Sequence, residues 1–292
     1  MAMRGPQAFM NTPELIFFEG SRQPIIVASI SLRRKTILAN PEWKSIPWTL
    51  HPERKTAMQT LYDILADCPE KFIRKDRLLA TPETVARSGG LIIKLLTELS
   101  EMLGRLSRWK ETWDIIHPDA FYECSPSSFF VSTPTVPAND GYGTQVPAWT
   151  TILAYKSAYE AIVMPMYNAL EIMLVRVVGA ILIYGQLDVE IAMRIVPERL
   201  LTSDARRRAV YNASIDICRS VGYCLRSAYY ATLSLNILFP LRVAYDGLGD
   251  SYPSIGAWMR LISDEIGSGQ RGRWAAAKHL LDTSDAAPST SS

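Results

Sequence analysis

Between Glu171 and Gln186 the chain runs for fourteen residues with a single charge, Arg176. The run sits inside a longer apolar segment, Pro147–Gly185, in the middle of the sequence. A helix that is apolar on nearly every side is either a membrane span or the centre of a helical core. A span needs about 20 consecutive apolar residues. This run is shorter, carries Arg176, and is preceded by Pro165. The expectation is therefore no membrane, but a buried helix over Pro147–Gly185. It should be kinked or broken near Pro165, because proline lacks the N–H that its turn needs.

The rest of the chain has to surround that helix. Its 292 residues suffice for one large domain, expected over 1–282. With 31 basic and 29 acidic residues the net charge is +2. A direct nucleic-acid binder usually shows a basic stripe, so no DNA or RNA contact is expected. Cys68, Cys124, Cys218 and Cys224 are scattered, and Met1–Gly5 offers no apolar leader. These features suit an intracellular protein with free thiols.

Taken in order, Thr12-Pro13-Glu14 reads as a helix start, with a short helix to about Glu19 and a second opening at Gln23-Pro24. The triplet Arg33-Arg34-Lys35 suits a solvated helix end better than an import signal. Pro41–Trp48 reads as a loop whose two tryptophans pin it to the core. Helices are expected at about Glu53–Ala66 and Pro69–Ala80, followed by one long helix from Thr81-Pro82-Glu83 to about Asp114. In that helix Leu95, Leu99, Met102, Leu106 and Trp109 step by three and four, a spacing shared by coiled-coil seams and core faces. Leu91, Ile93, Leu96 and Leu103 widen the stripe, which favours a core face. The five spaced residues also stand as the candidate partner surface. An Asp at Leu99 would abolish pairing if the stripe is a dimer seam and would unfold the chain if it is core.

Residues 117–146 carry four prolines and read as a flexible excursion. Beyond the central helix, helices are expected at Asp188–Val196, from Ser203 or Asp204 to Arg226, at Ala228–Leu235, near Val243–Leu248, around Trp258–Ile266 and at Trp274–Leu281. Residues 283–292 read as a disordered Ser/Thr-rich tail. No strand pattern stands out. The expected fold is all-α, an irregular domain of about nine to ten helices around a central apolar helix.

No catalytic, metal or cofactor motif survives a test of its context. Gly267–Gly272 matches GxGxxG, but a helix precedes it where the dinucleotide fingerprint requires a strand. Gly249-Asp250-Ser251 is similar to an esterase nucleophile block, yet it sits among helices. Cys218 and Cys224 fall on different helix faces, and His51, His117 and His279 lack companions at ligand spacing. Asp63 and Asp67 stand alone where diphosphate chemistry needs clustered aspartates. Arg206-Arg207-Arg208 suits a solvated helix start.

Several blocks together resemble the C-terminal regulatory region of fungal zinc-cluster transcription factors. They are Met3–Phe9, the Pro/Trp block Pro41–Trp48, Trp109–Trp113, Tyr167–Tyr184, Ile217–Leu225 and Phe239–Ala244, in that order. The six-cysteine cluster through which those factors read DNA has no counterpart among the four scattered cysteines. The resemblance implies a nuclear regulatory or effector protein, not an enzyme, without its own DNA-binding module. It would act through protein partners, as a homodimer or with a full-length relative. Two alternatives stay open: a helical sensor of a small-molecule effector, and the C-terminal fragment of a full-length zinc-cluster factor.

Overall fold

The computed structural model describes residues 5–126, 133–138, 144–226 and 230–268. Thr12–Ser31 is a single helix, α1, where two were expected. Pro24 sits inside it, on the exposed side, and so does Gly20 one turn earlier. The Gly20 carbonyl that loses its N–H partner therefore faces water, and no buried polar group is orphaned. Pro41–Trp48 is not a loop either: it forms a short helix, α2 (Pro41–Ser45), and a 3-10 turn (Ile46–Trp48). Trp43 and Trp48 are buried there against Phe18 of α1, with ring centroids 5.9 and 5.8 Å away.

Next come α3 (Ala57–Leu65), α4 (Cys68–Leu78), α5 (Pro82–Arg87) and α6 (Gly89–Ile116). Thr56 and Thr81 cap α3 and α5 through their hydroxyls, which accept from Gln59 N and Thr84 N. The long helix expected from Thr81 is interrupted at Ser88. Gly89-Gly90 follows, and two consecutive glycines are the weakest helix formers short of proline. Both α3 and α4 pack on α1 and on α6. Leu95 and Leu99 are fully buried, and Met102, Leu106 and Trp109 nearly so.

The excursion and the stretch just after it carry the strands that the sequence reading missed. β1 (Phe121–Cys124) pairs antiparallel with β4 (Ile152–Tyr155), and β2 (Thr135–Pro137) with β3 (Gln145–Pro147). The apolar helix α7 accordingly starts at Ala158, not at Pro147, and runs unbroken through Pro165 to Tyr184. Its start follows a capping pattern, Ser157-x-x-Glu160, in which the Ser157 hydroxyl accepts from Glu160 N. By length and composition α7 could cross a membrane, but 67% of its most apolar window is buried by the chain itself.

After α7 come α8 (Val189–Ile195), α9 (Ser203–Arg226), α10 (Tyr230–Leu248) and α11 (Pro253–Ser268). Two helices expected around Phe239–Pro240 are one, with Pro240 inside α10. The fold is all-α around an apolar helix. The short α2 and α5 bring the helix number slightly above the expected nine to ten among the described residues. The helix expected at Trp274–Leu281 and the tail 283–292 lie outside them.

One domain was expected over 1–282, but internal contacts divide the chain into two units. The first is Met1–Pro118 with Leu174–Arg206; the second is Asp119–Met173 with Arg207–Ser292. In the first, α6 lies against α3, α4, α5 and α8. In the second, α11 packs on α10 and reaches β2, and Arg219 of α9 holds the ladder edge. The Arg219 guanidinium donates to the Thr151 carbonyl at 2.9 Å and to its hydroxyl at 2.6 Å, and pairs with Glu123 at 2.7 Å. Because Leu99 has no exposed surface, Leu99→Ala should cost about 2–5 kcal/mol of stability, and Leu99→Asp should prevent folding. Thermal melts followed by circular dichroism check this: a Leu99→Asp chain that melts at the wild-type temperature would contradict the buried placement.

Candidate functional site

The charged outer side of α6 faces a cleft of about 870 Å3 in the first unit. Thr97, Glu98, Ser100, Glu101, Arg105 and Arg108 come from α6, Asp67 and Lys71 from the start of α4, and Arg194 with Ile195 from the end of α8. The three-and-four spacing that buries Leu99 and Leu106 turns Glu101, Arg105 and Arg108 outward.

Most acids of the cleft are already matched. Glu98 Oε2 accepts from Lys71 Nζ at 2.6 Å and also from Arg74. Asp67 takes Lys44 Nζ at 2.5 Å on one oxygen and Arg105 at 2.8 Å on the other. Arg108 lies over Gly104 and has no ion pair among the described residues. The Ser100 hydroxyl is buried without a hydrogen-bond partner. Arg105 and Arg108 also line a second hollow of about 380 Å3 with Ala57, Thr60, Trp109, Trp113 and His117. In it the Trp113 ring stacks on His117 at 3.9 Å, and Trp109 Nε1 donates to the Ala57 carbonyl at 2.9 Å.

The candidate partner residues Leu95, Leu99, Met102, Leu106 and Trp109 all face inward. The chain's own helices cover that stripe, because an apolar face this wide is satisfied by burial inside one unit. Exposed apolar side chains lie elsewhere in the unit: Ile16 and Phe17 on α1, Ile115 and Ile116 at the end of α6, and a set at the corner between α7 and α8. Ile183, Tyr184, Val189 and Met193 are each more than half exposed. The sequence signal was present in part, since Val189 and Met193, four residues apart, share one face of α8.

The remaining chemistry-bearing residues have structural duties. Burial pushes the thiols of Cys68 and Cys218 far up and that of Cys224 to about 12, which leaves no thiolate nucleophile there. Asp63 is held by Arg22 and by Lys55, so both aspartates weighed for diphosphate chemistry are taken by cations. Gly249-Asp250-Ser251 is the turn between α10 and α11, where a Cβ at Gly249 would stand 2.8 Å from the Tyr245 carbonyl. Among the described residues no group of three or more metal-ligating side chains gathers. His279 and most of the Gly267–Gly272 stretch lie outside them.

Burial alone would raise the Glu98 carboxyl, but the hydrogen bonds and charges of Lys71 and Arg74 hold it below its usual value. A carboxyl lowered in the folded state stabilises the fold above its unfolded pKa of about 4.3, and that contribution fades as the pH falls through the folded value. Glu98→Gln should therefore lower the melting temperature at pH 7, and the gap should close in strong acid, below about pH 3. Melts of both proteins at the two pH values decide it; a gap that persists in acid would contradict the pairing. No family model matches the chain, and neither a curated relative nor a solved structure was found for it.

Proposed function

We propose that this chain is a transcription-factor-like regulatory protein of fungal gene regulation. It works in the nucleus through protein partners and makes no DNA contact of its own. It is regulatory, not catalytic. The order of the blocks that resemble the zinc-cluster regulatory region supports the class. Two of those blocks also meet in space: Phe9 of the first and Trp43 of the second lie 5.8 Å apart, ring to ring. A C-terminal fragment of a longer zinc-cluster factor would act by the same means.

The observation that carries the partner reading is the apolar corner of Ile183, Tyr184, Val189 and Met193. Four large apolar side chains left in water within eleven residues of adjoining helix ends suit a protein contact. This corner takes over the role that the buried α6 stripe cannot fill.

The test tethers the full chain to an unrelated DNA-binding module upstream of a reporter. Reporter output should change several-fold against the module alone. Val189→Asp with Met193→Asp should remove that change while the far-UV spectrum stays the same, since both side chains are exposed. A tethered chain that leaves the reporter at the level of the module alone would overturn the reading. A small-molecule sensor is the second reading, favoured by the 870 Å3 cleft, which is within the usual size of ligand sites.

A further inference from the structure

The cleft between α4, α6 and α8 carries more positive charge than its own carboxylates answer. Lys44, Lys71, Arg74, Arg105, Arg108 and Arg194 line it or bond to its lining. Against these six cations stand Asp67, Glu98, Glu101 and, on the outer side of Arg194, Glu190 at 3.9 Å. Asp67 and Glu98 are each divided between two cations, so neither can turn toward a ligand cation without losing a partner. Glu101 is exposed on α6, where water screens it.

Two groups in the cleft are unanswered. Arg108 has five N–H donors and no carboxylate, and the Ser100 hydroxyl is out of water without a partner. A buried hydroxyl left unpaired is costly, and a ligand oxygen satisfies it at the same time as an arginine fork satisfies the charge. The cleft, about 870 Å3 and open to water, has room for an organic anion as well as for its charged group alone.

We propose that this cleft binds a small organic anion bearing a phosphate or two carboxylates. Arg108, Arg105 and Arg194 grip its oxygens, and Ser100 lies beneath them in the cleft wall. Lys71 and Arg74 stay on Glu98 and set the positive potential of the wall. The site is independent of the apolar corner, so failure of the partner reading leaves it standing, and its own failure leaves the partner reading standing.

The experiment is calorimetric titration of the full chain with glycerol 3-phosphate, inorganic phosphate and malonate, at ionic strength matched with chloride. At least one of them should bind saturably. Arg108→Gln should weaken that binding about tenfold, as expected for one charged hydrogen-bonding partner, and Ser100→Ala should weaken it less. Arg34→Gln, which removes an exposed cation of the same unit outside the cleft, should leave it unchanged. Binding by the phosphates alone assigns a phosphoester, and binding by malonate alone assigns a dicarboxylate. The proposal is overturned if none of the three saturates at millimolar concentration. It also falls if Arg34→Gln weakens binding as much as Arg108→Gln, because the effect is then general charge attraction.

Discussion

The first unit is built over a guanidinium that has no access to water. Arg22 of α1 is fully buried and donates to Asp63 and to both oxygens of Gln59, all on α3. It lies 5.5–5.8 Å from the ring centroids of Phe18, Trp48 and Tyr62. Burial pulls its pKa below the usual arginine value, and Asp63 opposes that shift. Removing such a charge from water costs several kcal/mol unless a partner and hydrogen bonds replace the hydration. That condition ties α1 to α3, which supplies all three acceptors, while the Trp48 ring lies alongside and Arg22 Nε stays without a hydrogen-bond partner. Lys55 closes the node from outside by taking the second oxygen of Asp63 at 2.8 Å.

Local rules made much of the fold legible. The apolar stripe of α6, the proline-led starts of α1 and α5, and the cap before α8 follow from spacing and end chemistry. The errors came from proline and from pairing. Pro24 and Pro240 sit inside helices where breaks were expected, and at Pro165, where a kink or a break was expected, the helix is not broken. Proline removes one hydrogen bond, and tertiary burial of the flanking turns outweighs that loss. The start of α7 was misplaced although Ser157-x-x-Glu160 marks it, because Ile152–Tyr155 is as apolar as the helix that follows. Only its partner β1, thirty residues earlier, shows that it is a strand. Arg22 went unread although Leu15, Phe18, Ile26 and Ile30 at three- and four-residue steps put it on the buried face; its acceptors on α3 could not be read from spacing.

The site was less legible than the fold, and for a related reason. A three-and-four apolar spacing says that a face is covered but not by what. In α6 the cover is α3 and α4, so the residues that looked like a seam are core, and their polar neighbours Glu98, Arg105 and Arg108 line the cleft. In the second unit the same economy appears at Arg219. It lies within one of the blocks that carry the resemblance, and it holds a strand edge. Asp67 and Arg219 are clamps whose charges are met, whereas Arg108 in the cleft has no ion pair among the described residues and the Ser100 hydroxyl no hydrogen bond. An unpartnered buried atom does not by itself mark a site, since Arg22 Nε and Trp48 Nε1 in the core lack partners too.

The claim most open to direct attack is that the Arg22–Asp63 node organises the first unit. A double-mutant cycle in urea denaturation, with Arg22→Met, Asp63→Leu and the pair, measures it. Asp63→Leu should cost roughly 3–5 kcal/mol because it strands a buried charge. Arg22→Met should cost less, because Asp63 keeps Lys55. The double variant should be markedly more stable than the sum of the two losses implies. Losses that add to within about 0.5 kcal/mol would mean that the two side chains act independently, and the account of this unit would fail.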